Sequence, residues 1–268
     1  MAIKSKSGGW TVKLLTGKTA LITGVANDRS IAFGIAKAMY EHGAQLIFTY
    51  QNERLKEKMC ELVKQFEPKL VTELDVTKDE DIARVGQEVL SSCGKLDIFL
   101  HSLAFTPKDD LHGEFYKTSR QGFALSNDIS SYSLIALSNA LLPAFAASGG
   151  GSIMYMSYIG GEYAISTYRL AGISKAALEM SGKYLAQSLG DRNIRVNGIS
   201  AGPIKTLAAR GIKNFMDLQH QSEAFTPLKG EMTPEDVAGT AVYLASDLSR
   251  AVTGEVIHVD KGFHCVRG

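Results

Sequence analysis

Short apolar runs alternate with longer amphipathic segments along this chain of 268 residues. Seven of the short runs, KTALITG and SIMYMS among them, are rich in aliphatic residues and predict buried strands. These runs cover residues 18–24, 44–50, 69–75, 96–102, 152–157, 194–200 and 255–260. Helical patterns between them cover residues 31–42, 53–66, 78–93, 122–147, 167–189 and 234–246. Because each helical segment can serve as a crossover between parallel strands, the pattern predicts an α/β fold with a doubly wound, parallel seven-stranded sheet.

No Pro-, Ser- or Gly-rich linker and no abrupt change of composition divides the chain. We therefore expect residues 1–268 to form a single domain, with residues 1–14 as an N-terminal extension to which we assign no function.

Charge and cysteine usage exclude several classes of function. The net charge is +1 and no run of Lys or Arg occurs, so we expect no nucleic-acid partner. The three cysteines form no C-x-x-C pair and the six histidines form no paired-ligand motif, which predicts reduced thiols and no metal site. Without a long apolar run or a signal-peptide core, we expect a cytoplasmic protein that does not cross a membrane.

Ligands of a doubly wound sheet bind beyond the carboxyl ends of its strands. The first strand is followed there by TGVANDRSIAFG at residues 23–34, a turn into a helix whose N-terminal amides could face a pyrophosphate. Only Gly24 and Gly34 remain of the glycines usual in such loops, so an ordinary strand-to-helix loop is the alternative.

The ends of the next two strands carry further candidates for dinucleotide binding. Gln51 follows the second strand, and neither an acid nor an adjacent base stands at that position, which favours NADH over NADPH; Arg54 leaves NADPH as the alternative. Asp75 and Val76 follow the third strand and could take an adenine edge, although Asp75 could instead cap the next helix.

Tyr168 and Lys175 are the candidate catalytic pair. They are seven residues apart, which on one helix returns the lysine to within about 20° of the tyrosine, two turns along. A nearby cation stabilises a phenolate and aids proton donation at neutral pH. The alternative is a solvated helix face, where such a spacing is common.

Several motifs together resemble the short-chain dehydrogenase/reductase superfamily. They are the Thr-Gly loop with its later Ser-Ile-Ala, Tyr158, the Tyr-x6-Lys pair, and RVNGISAGPIKT at residues 195–206. The usual members have a Tyr-x3-Lys pair and a Ser thirteen residues before the Tyr, whereas this chain has Gly172 and Tyr155 at those places. With these departures, and with HSLA at residues 101–104 and DISSYS at residues 128–133, the chain resembles the NADH-dependent enoyl-acyl carrier protein reductases of bacterial fatty acid synthesis.

The resemblance implies a Rossmann-type fold and roles for individual residues. Lys175 would hold the nicotinamide ribose, Tyr168 would hydrogen-bond the thioester carbonyl oxygen, Tyr158 would stand behind Tyr168, and Thr106 would line the acyl pocket. The other implied contacts with NADH are made by Gly24, Ser30 and Ile31 (pyrophosphate), Gln51 (adenosine ribose), Asp75 and Val76 (adenine), Leu103 (nicotinamide), and Ile204, Lys205, Thr206, Leu207 and Ala208 (carboxamide and pyrophosphate).

The implied activity is reduction of the trans-2 double bond of enoyl-acyl carrier protein thioesters with NADH. Acyl carrier protein would be the partner, and the implied assembly is a homotetramer. Apolar residues at helix-like spacing in residues 203–218 predict a substrate-binding lid, or else a helix packed permanently on the core. Two rivals are a ketoacyl-type reductase, which would need the missing Ser, and a dinucleotide-sensing protein without turnover, which would lack the Tyr–Lys pair.

Overall fold

The computed structural model describes residues 2–4, 10–206 and 225–266. Its strands are β1 (Ala2–Lys4), β2 (Trp10–Val12), β3 (Thr19–Ile22), β4 (Gln45–Tyr50), β5 (Leu70–Glu73), β6 (Ile98–His101), β7 (Gly151–Ser157), β8 (Ile194–Ala201) and β9 (Val256–Val259). Strands β3 to β9 form one seven-stranded sheet in the order β5-β4-β3-β6-β7-β8-β9. All of its neighbouring strands are parallel, which confirms the predicted fold class.

The α-helices of the described chain are α1 (Ile31–Glu41), α2 (Glu53–Val63), α3 (Asp79–Cys93), α4 (Lys108–His112), α5 (Arg120–Asn127), α6 (Ser133–Ser148), α7 (Arg169–Leu189) and α8 (Pro234–Ala245). Each predicted helix has a counterpart, and α4 was not predicted. Helix α8 begins as its sequence indicates: the Thr233 hydroxyl accepts from the Asp236 amide, the Asp236 carboxylate accepts from the Thr233 amide, and Pro234 follows the cap.

The sheet has a hydrophobic layer on each face, because successive strand residues point to opposite sides. Ile22, Phe48 and Leu100 pack with α1 and α8 in one layer. Their neighbours in sequence pack with α3, α6 and α7 in the other; they are Leu21, Ile47 and Phe99. The predicted double winding therefore follows from strands that are apolar on both faces.

The predicted helix over residues 122–147 is wrong as a continuous α-helix. A single π-helical turn, Asp128–Tyr132, separates α5 from α6. Two hydroxyl groups compete with regular helical bonding here: that of Ser133, just after the turn, donates to the Ile129 carbonyl (2.7 Å), and that of Ser130, within it, accepts from the Phe105 amide (3.0 Å). The tertiary contact with Phe105 is invisible to helical periodicity.

Strands β1 and β2 pair antiparallel as a separate two-stranded sheet, which we did not predict for the N-terminal extension.

The helical segment Arg120–Ser148 is long and apolar enough, by length and composition, to cross a membrane. Half of its most apolar window is buried inside the fold.

Candidate active site

The ends of β3 and β6 meet at a position where only glycine fits. Gly24 has φ +80°, and a Cβ added there would lie 1.9 Å from the Ser102 carbonyl oxygen. Thr23 joins the same two strands: its hydroxyl donates to the Leu100 carbonyl (2.9 Å) and accepts from the Ser102 amide (3.2 Å). The backbone beyond β3 is therefore held close to the backbone beyond β6, with no side chain between them.

Helix α1 begins directly beyond this junction. Ser30 is its N-cap; the hydroxyl accepts from the Phe33 amide (3.3 Å) and donates to the Asn27 carbonyl (2.8 Å). The Phe33 amide is thereby satisfied, whereas the Ile31 and Ala32 amides precede any intrahelical acceptor, and the helix dipole favours an anion at this end. The geometry can accept the pyrophosphate that the sequence predicted here.

The predicted adenine end lies beyond β4 and β5. Gln51 is exposed, Val76 is buried, and the Asp75 carboxylate accepts from the amide (3.1 Å) and hydroxyl (2.7 Å) of Thr77. Helix α3 begins at Asp79 with Lys78 at the N-cap position, so Asp75 does not cap it. The capping alternative is wrong because the intervening turn places Asp75 too early in the chain.

The remaining predicted contact residues occupy two further segments. Thr106 and Leu103 lie in the segment after β6, where Leu103 packs against the second core layer. Beyond β8, Ile204 is buried in the first layer and Lys205 pairs with Glu231 at 3.0 Å. The Thr206 amide donates to the Ile204 carbonyl (2.8 Å). Leu207, Ala208 and the rest of the predicted lid to residue 218 lie outside the described residues.

Tyr158 and Tyr168 form an aromatic pair between β7 and α7. Their ring centroids are 4.8 Å apart and the rings are inclined at 62°. A Cβ at Gly160 would lie 2.4 Å from the Tyr168 ring and 3.2 Å from the Tyr158 ring, so the absence of a side chain there lets the rings meet. The Tyr158 hydroxyl is buried and has no hydrogen-bond partner among the described residues.

Tyr168 and Lys175 do not belong to one continuous helix. Tyr168 precedes α7, and Arg169 has φ +45°, so the predicted continuous helix from residue 167 through both residues is wrong. The glycine pair supplies the link instead: the Tyr168 ring lies against Gly160, and the Lys175 Cβ would be 3.1 Å from a Cβ at Gly161. The cause of the break is the turn that carries the chain from β7 into α7.

Lys175 is a buried ammonium, only 6% exposed. Its Nζ donates to the Met156 carbonyl (2.7 Å), and the structure records no second hydrogen bond for it within residues 13–206 and 225–266. Burial lowers the pKa of Lys175 to about 8, against the opposing effect of the Glu179 carboxylate. An ammonium has three donors, so Lys175 retains two for a ligand.

Glu179 is a site residue that the sequence analysis missed. It lies one turn after Lys175 on α7, is buried, and accepts a short hydrogen bond from the Ser157 hydroxyl. A Cβ at Gly161 would lie 2.9 Å from its Oε1. Burial raises the pKa of Glu179, an effect opposed by the Ser157 hydrogen bond. The four-residue spacing from Lys175 was the available signal.

Both phenols are held in the protonated form. Burial, and to a lesser extent the Asp260 carboxylate, raises the pKa of Tyr158 to about 12. Burial, with a further contribution from Tyr158, raises the pKa of Tyr168 above its usual range. Both side chains are therefore hydrogen-bond donors near neutral pH.

Arg169 acts as a tether beside the tyrosine. Its guanidinium donates through Nε to the Ser166 carbonyl (2.9 Å) and through Nη1, by a short bond, to the Gly113 carbonyl. The segment after α4 is thereby attached to the start of α7.

Within the described residues, no group of three or more His, Cys, Asp or Glu side chains could hold a metal ion.

Comparisons with known proteins agree on one family. A family model described as enoyl-(acyl carrier protein) reductase matches residues 24–264. The NADH-dependent enoyl-[acyl-carrier-protein] reductase FabI of Aquifex aeolicus is 48% identical over 251 residues, which cover 94% of this chain and 93% of the relative. The NADPH-dependent FabI of Staphylococcus aureus (strain MRSA252) is 46% identical, with 94% of this chain and 99% of the relative covered.

Solved structures give the same result. The crystal structure of the Aquifex aeolicus enzyme has a TM-score of 0.92 and 47% identity, and the match covers 95% of this chain and 99% of that one. A Bacillus cereus reductase with NADP+ and indole naphthyridinone has the same TM-score at 45% identity, over 95% of this chain and 99% of that one. An enzyme from Anaplasma phagocytophilum in complex with NAD is 41% identical with TM-score 0.92, over 96% of this chain and 98% of that one. The family predicted from the sequence is confirmed: this chain belongs to the enoyl-acyl carrier protein reductases.

Proposed function

We propose that this chain reduces the trans-2 double bond of enoyl-acyl carrier protein thioesters with NADH, in the elongation cycle of fatty acid synthesis. The observation that carries the proposal is the packing of the two tyrosine rings at Gly160, next to Gly161, which lies against the buried Lys175. Family membership supports the enzyme class and the nicotinamide cofactor.

Fit to the cofactor can be judged from groups that lack protein partners. Lys175 is buried with two unused donors, and the Tyr158 hydroxyl is buried without a partner among the described residues. Such groups are costly unless a ligand satisfies them. Lys175 suits the nicotinamide ribose hydroxyls. NADH, when bound, supplies a hydride to the β-carbon of the enoyl group.

The pyrophosphate and adenosine contacts follow the same edge of the sheet. Gly24, Ser30 and Ile31 would hold the pyrophosphate, Gln51 the ribose, and Asp75 with Val76 the adenine. Leu103 and residues 204–208 would complete the nicotinamide side. The bare backbone at Gly24 and the capped start of α1 support the first of these assignments.

Tyr168 would donate a hydrogen bond to the thioester carbonyl oxygen. In an enoyl thioester the carbonyl withdraws electrons through the double bond, so negative charge collects on this oxygen as the β-carbon is reduced. One donor at such an oxygen is worth about 2.7–4 kcal/mol of transition-state stabilisation. Tyr168 remains protonated and therefore available, while Tyr158 packs edge-on behind it.

Acyl carrier protein, as the bearer of the thioester, would dock near the predicted lid. Lys205 is paired with Glu231, so its charge is partly neutralised. Residues 1–268 would act as one domain in a cytoplasmic homotetramer, without nucleic acid or membrane as partners.

The geometry disfavours a ketoacyl-type reductase. The position thirteen residues before Tyr168 is Tyr155, which is 1% exposed and fills the space between Gly182 and Gly198. A core tyrosine there cannot supply the small hydroxyl that a Ser–Tyr–Lys site requires.

Oxidation of the cofactor, followed at 340 nm, tests the function. We expect turnover with crotonyl thioester and NADH, none with acetoacetyl thioester, and a lower kcat/KM with NADPH because Gln51 offers no cationic partner to the extra phosphate. Equal kcat/KM with both cofactors would contradict the NADH preference and assign Arg54 to the phosphate. Reduction of only the acetoacetyl substrate would establish the rival activity.

A further inference from the structure

Three hydroxyl groups form an unbroken chain beside the catalytic lysine. The Thr106 and Ser126 hydroxyl oxygens are 2.9 Å apart, and the Ser126 and Ser174 hydroxyl oxygens are also 2.9 Å apart. Ser126 on α5 is 0% exposed and Ser174 on α7 is 1% exposed, whereas Thr106 is half-buried. Ser174 directly precedes Lys175 in α7. The three hydroxyl groups therefore connect α7 to the segment after β6.

The direction of the protons along this chain follows from its buried end. Within the described residues, Ser174 has no hydrogen-bond partner other than Ser126. If Ser174 accepted from Ser126, its own proton would be buried without an acceptor, which is unfavourable. Ser174 therefore donates to Ser126. The Ser126 hydroxyl then donates to Thr106, which is its one other hydrogen-bond partner among the described residues.

The consequence appears at the exposed end. Thr106 accepts from Ser126, so its own proton is not used within the chain. The Thr106 hydroxyl is thus an oriented donor whose proton points away from Ser126. A valine would fill the same volume but could not donate, and an isolated threonine hydroxyl could rotate between donor and acceptor roles.

We propose that Thr106 is a specificity-determining residue that donates a hydrogen bond to an amide carbonyl of the pantetheine arm carrying the acyl group. This inference rests on the proposed function. The substrate offers few acceptors: the acyl tail has none, and the thioester carbonyl is matched by Tyr168. The amide carbonyls of the arm are the acceptors that remain, and they suit a donor on the segment after β6.

The test compares two substrates that share the acyl group. Crotonyl-pantetheine contains the arm's amides, and S-ethyl thiocrotonate contains none. With saturating NADH, we expect Thr106→Val to lower kcat/KM about fivefold for crotonyl-pantetheine, mainly through KM, and less than twofold for S-ethyl thiocrotonate. Thr106→Ser should recover the wild-type value. Ser126→Ala, which removes the group that orients Thr106, should give a smaller loss restricted to crotonyl-pantetheine.

Thr16→Val is the matched control, because Thr16 precedes β3 at the opposite end of the sheet. This substitution should leave kcat/KM unchanged for both substrates. An equal loss for both substrates in Thr106→Val, or a loss in kcat with KM unchanged, would overturn the proposal. A wild-type enzyme that reduces neither substrate would instead overturn the proposed function, and the Thr106 assignment with it. The NADH dissociation constant should be unchanged in Thr106→Val; a weakened one would assign Thr106 to the cofactor and also contradict the proposal.

Discussion

At the scale of single residues, Lys175 is the group whose surroundings most affect its chemistry. Its buried ammonium has a lowered pKa of about 8, whereas the pKa values of both phenols are raised. Among these three groups, Lys175 therefore loses its proton first as pH rises. The kcat/KM for NADH reports on ionisations of the free enzyme. We expect it to fall as pH rises through about 8, with the dependence that loss of a single proton gives.

Glu179→Gln provides the comparison for that profile. The Glu179 carboxylate raises the pKa of Lys175, so its removal should move the alkaline limb to lower pH. An unchanged limb would show that the titrating group is not Lys175.

The predicted division of labour between Tyr168 and Lys175 is a second test at this scale. Lys175→Ala should weaken NADH binding as well as turnover, because two donors are lost from the cofactor side. Tyr168→Phe should leave the NADH dissociation constant near the wild-type value and lower kcat by a factor on the order of 100. NADH fluorescence titration and steady-state rates measure the two quantities.

Tyr158→Phe is the comparison for these variants. The Tyr158 hydroxyl has no partner among the described residues, so its removal should not lower the free energy of unfolding. Loss of NADH binding in Tyr168→Phe, or unchanged binding in Lys175→Ala, would show that the roles are assigned wrongly.

At the scale of elements, the junction between β7 and α7 controls the site. Gly160→Ala would place a Cβ 2.4 Å from the Tyr168 ring, which must then move. We expect kcat to fall at least tenfold while NADH affinity changes less, as measured by steady-state rates and titration.

Gly239→Ala is the matched control for this substitution. Gly239 lies inside α8 and a Cβ there would meet nothing within 4 Å. Its activity should be unchanged and its free energy of unfolding should rise by up to about 1 kcal/mol. Full activity in Gly160→Ala would mean that the position of the Tyr168 ring is not critical.

The sequence predicted the main elements well because each carries its own pattern of apolar residues. Strand β4 and helix α1 occupy nearly the predicted ranges, and the predicted N-cap chemistry of α8 is present. The π-helical turn Asp128–Tyr132 could not be predicted, because its stabilising bonds reach Phe105 in another segment.

At the scale of the whole molecule, helices α5 to α7 leave apolar side chains exposed. These are Phe123, Ile135, Ile173, Met180 and Tyr184. Exposed apolar faces of this kind are typical of interfaces, and closed symmetry is usual for homo-oligomers. We expect light scattering to give about four times the chain mass of 28.9 kDa. Tyr184→Glu should lower that mass, whereas a monomer at micromolar wild-type concentration would contradict the tetramer.

The sequence by itself determined the fold class, the family and the identity of Tyr158, Tyr168 and Lys175 as candidates. Apolar periodicity and motif spacing are local properties, so they can be identified in the sequence without the structure. Only the tertiary structure decided that the two tyrosine rings pack at Gly160 and that Lys175 lies against Gly161, because the left-handed Arg169 interrupts the helical relation between Tyr168 and Lys175. The burial of Lys175 beside Glu179, and the hydroxyl chain that ends at Thr106, likewise depend on segments far apart in sequence. Desolvation and hydrogen-bond direction are set by what surrounds a group in space, which no local pattern specifies.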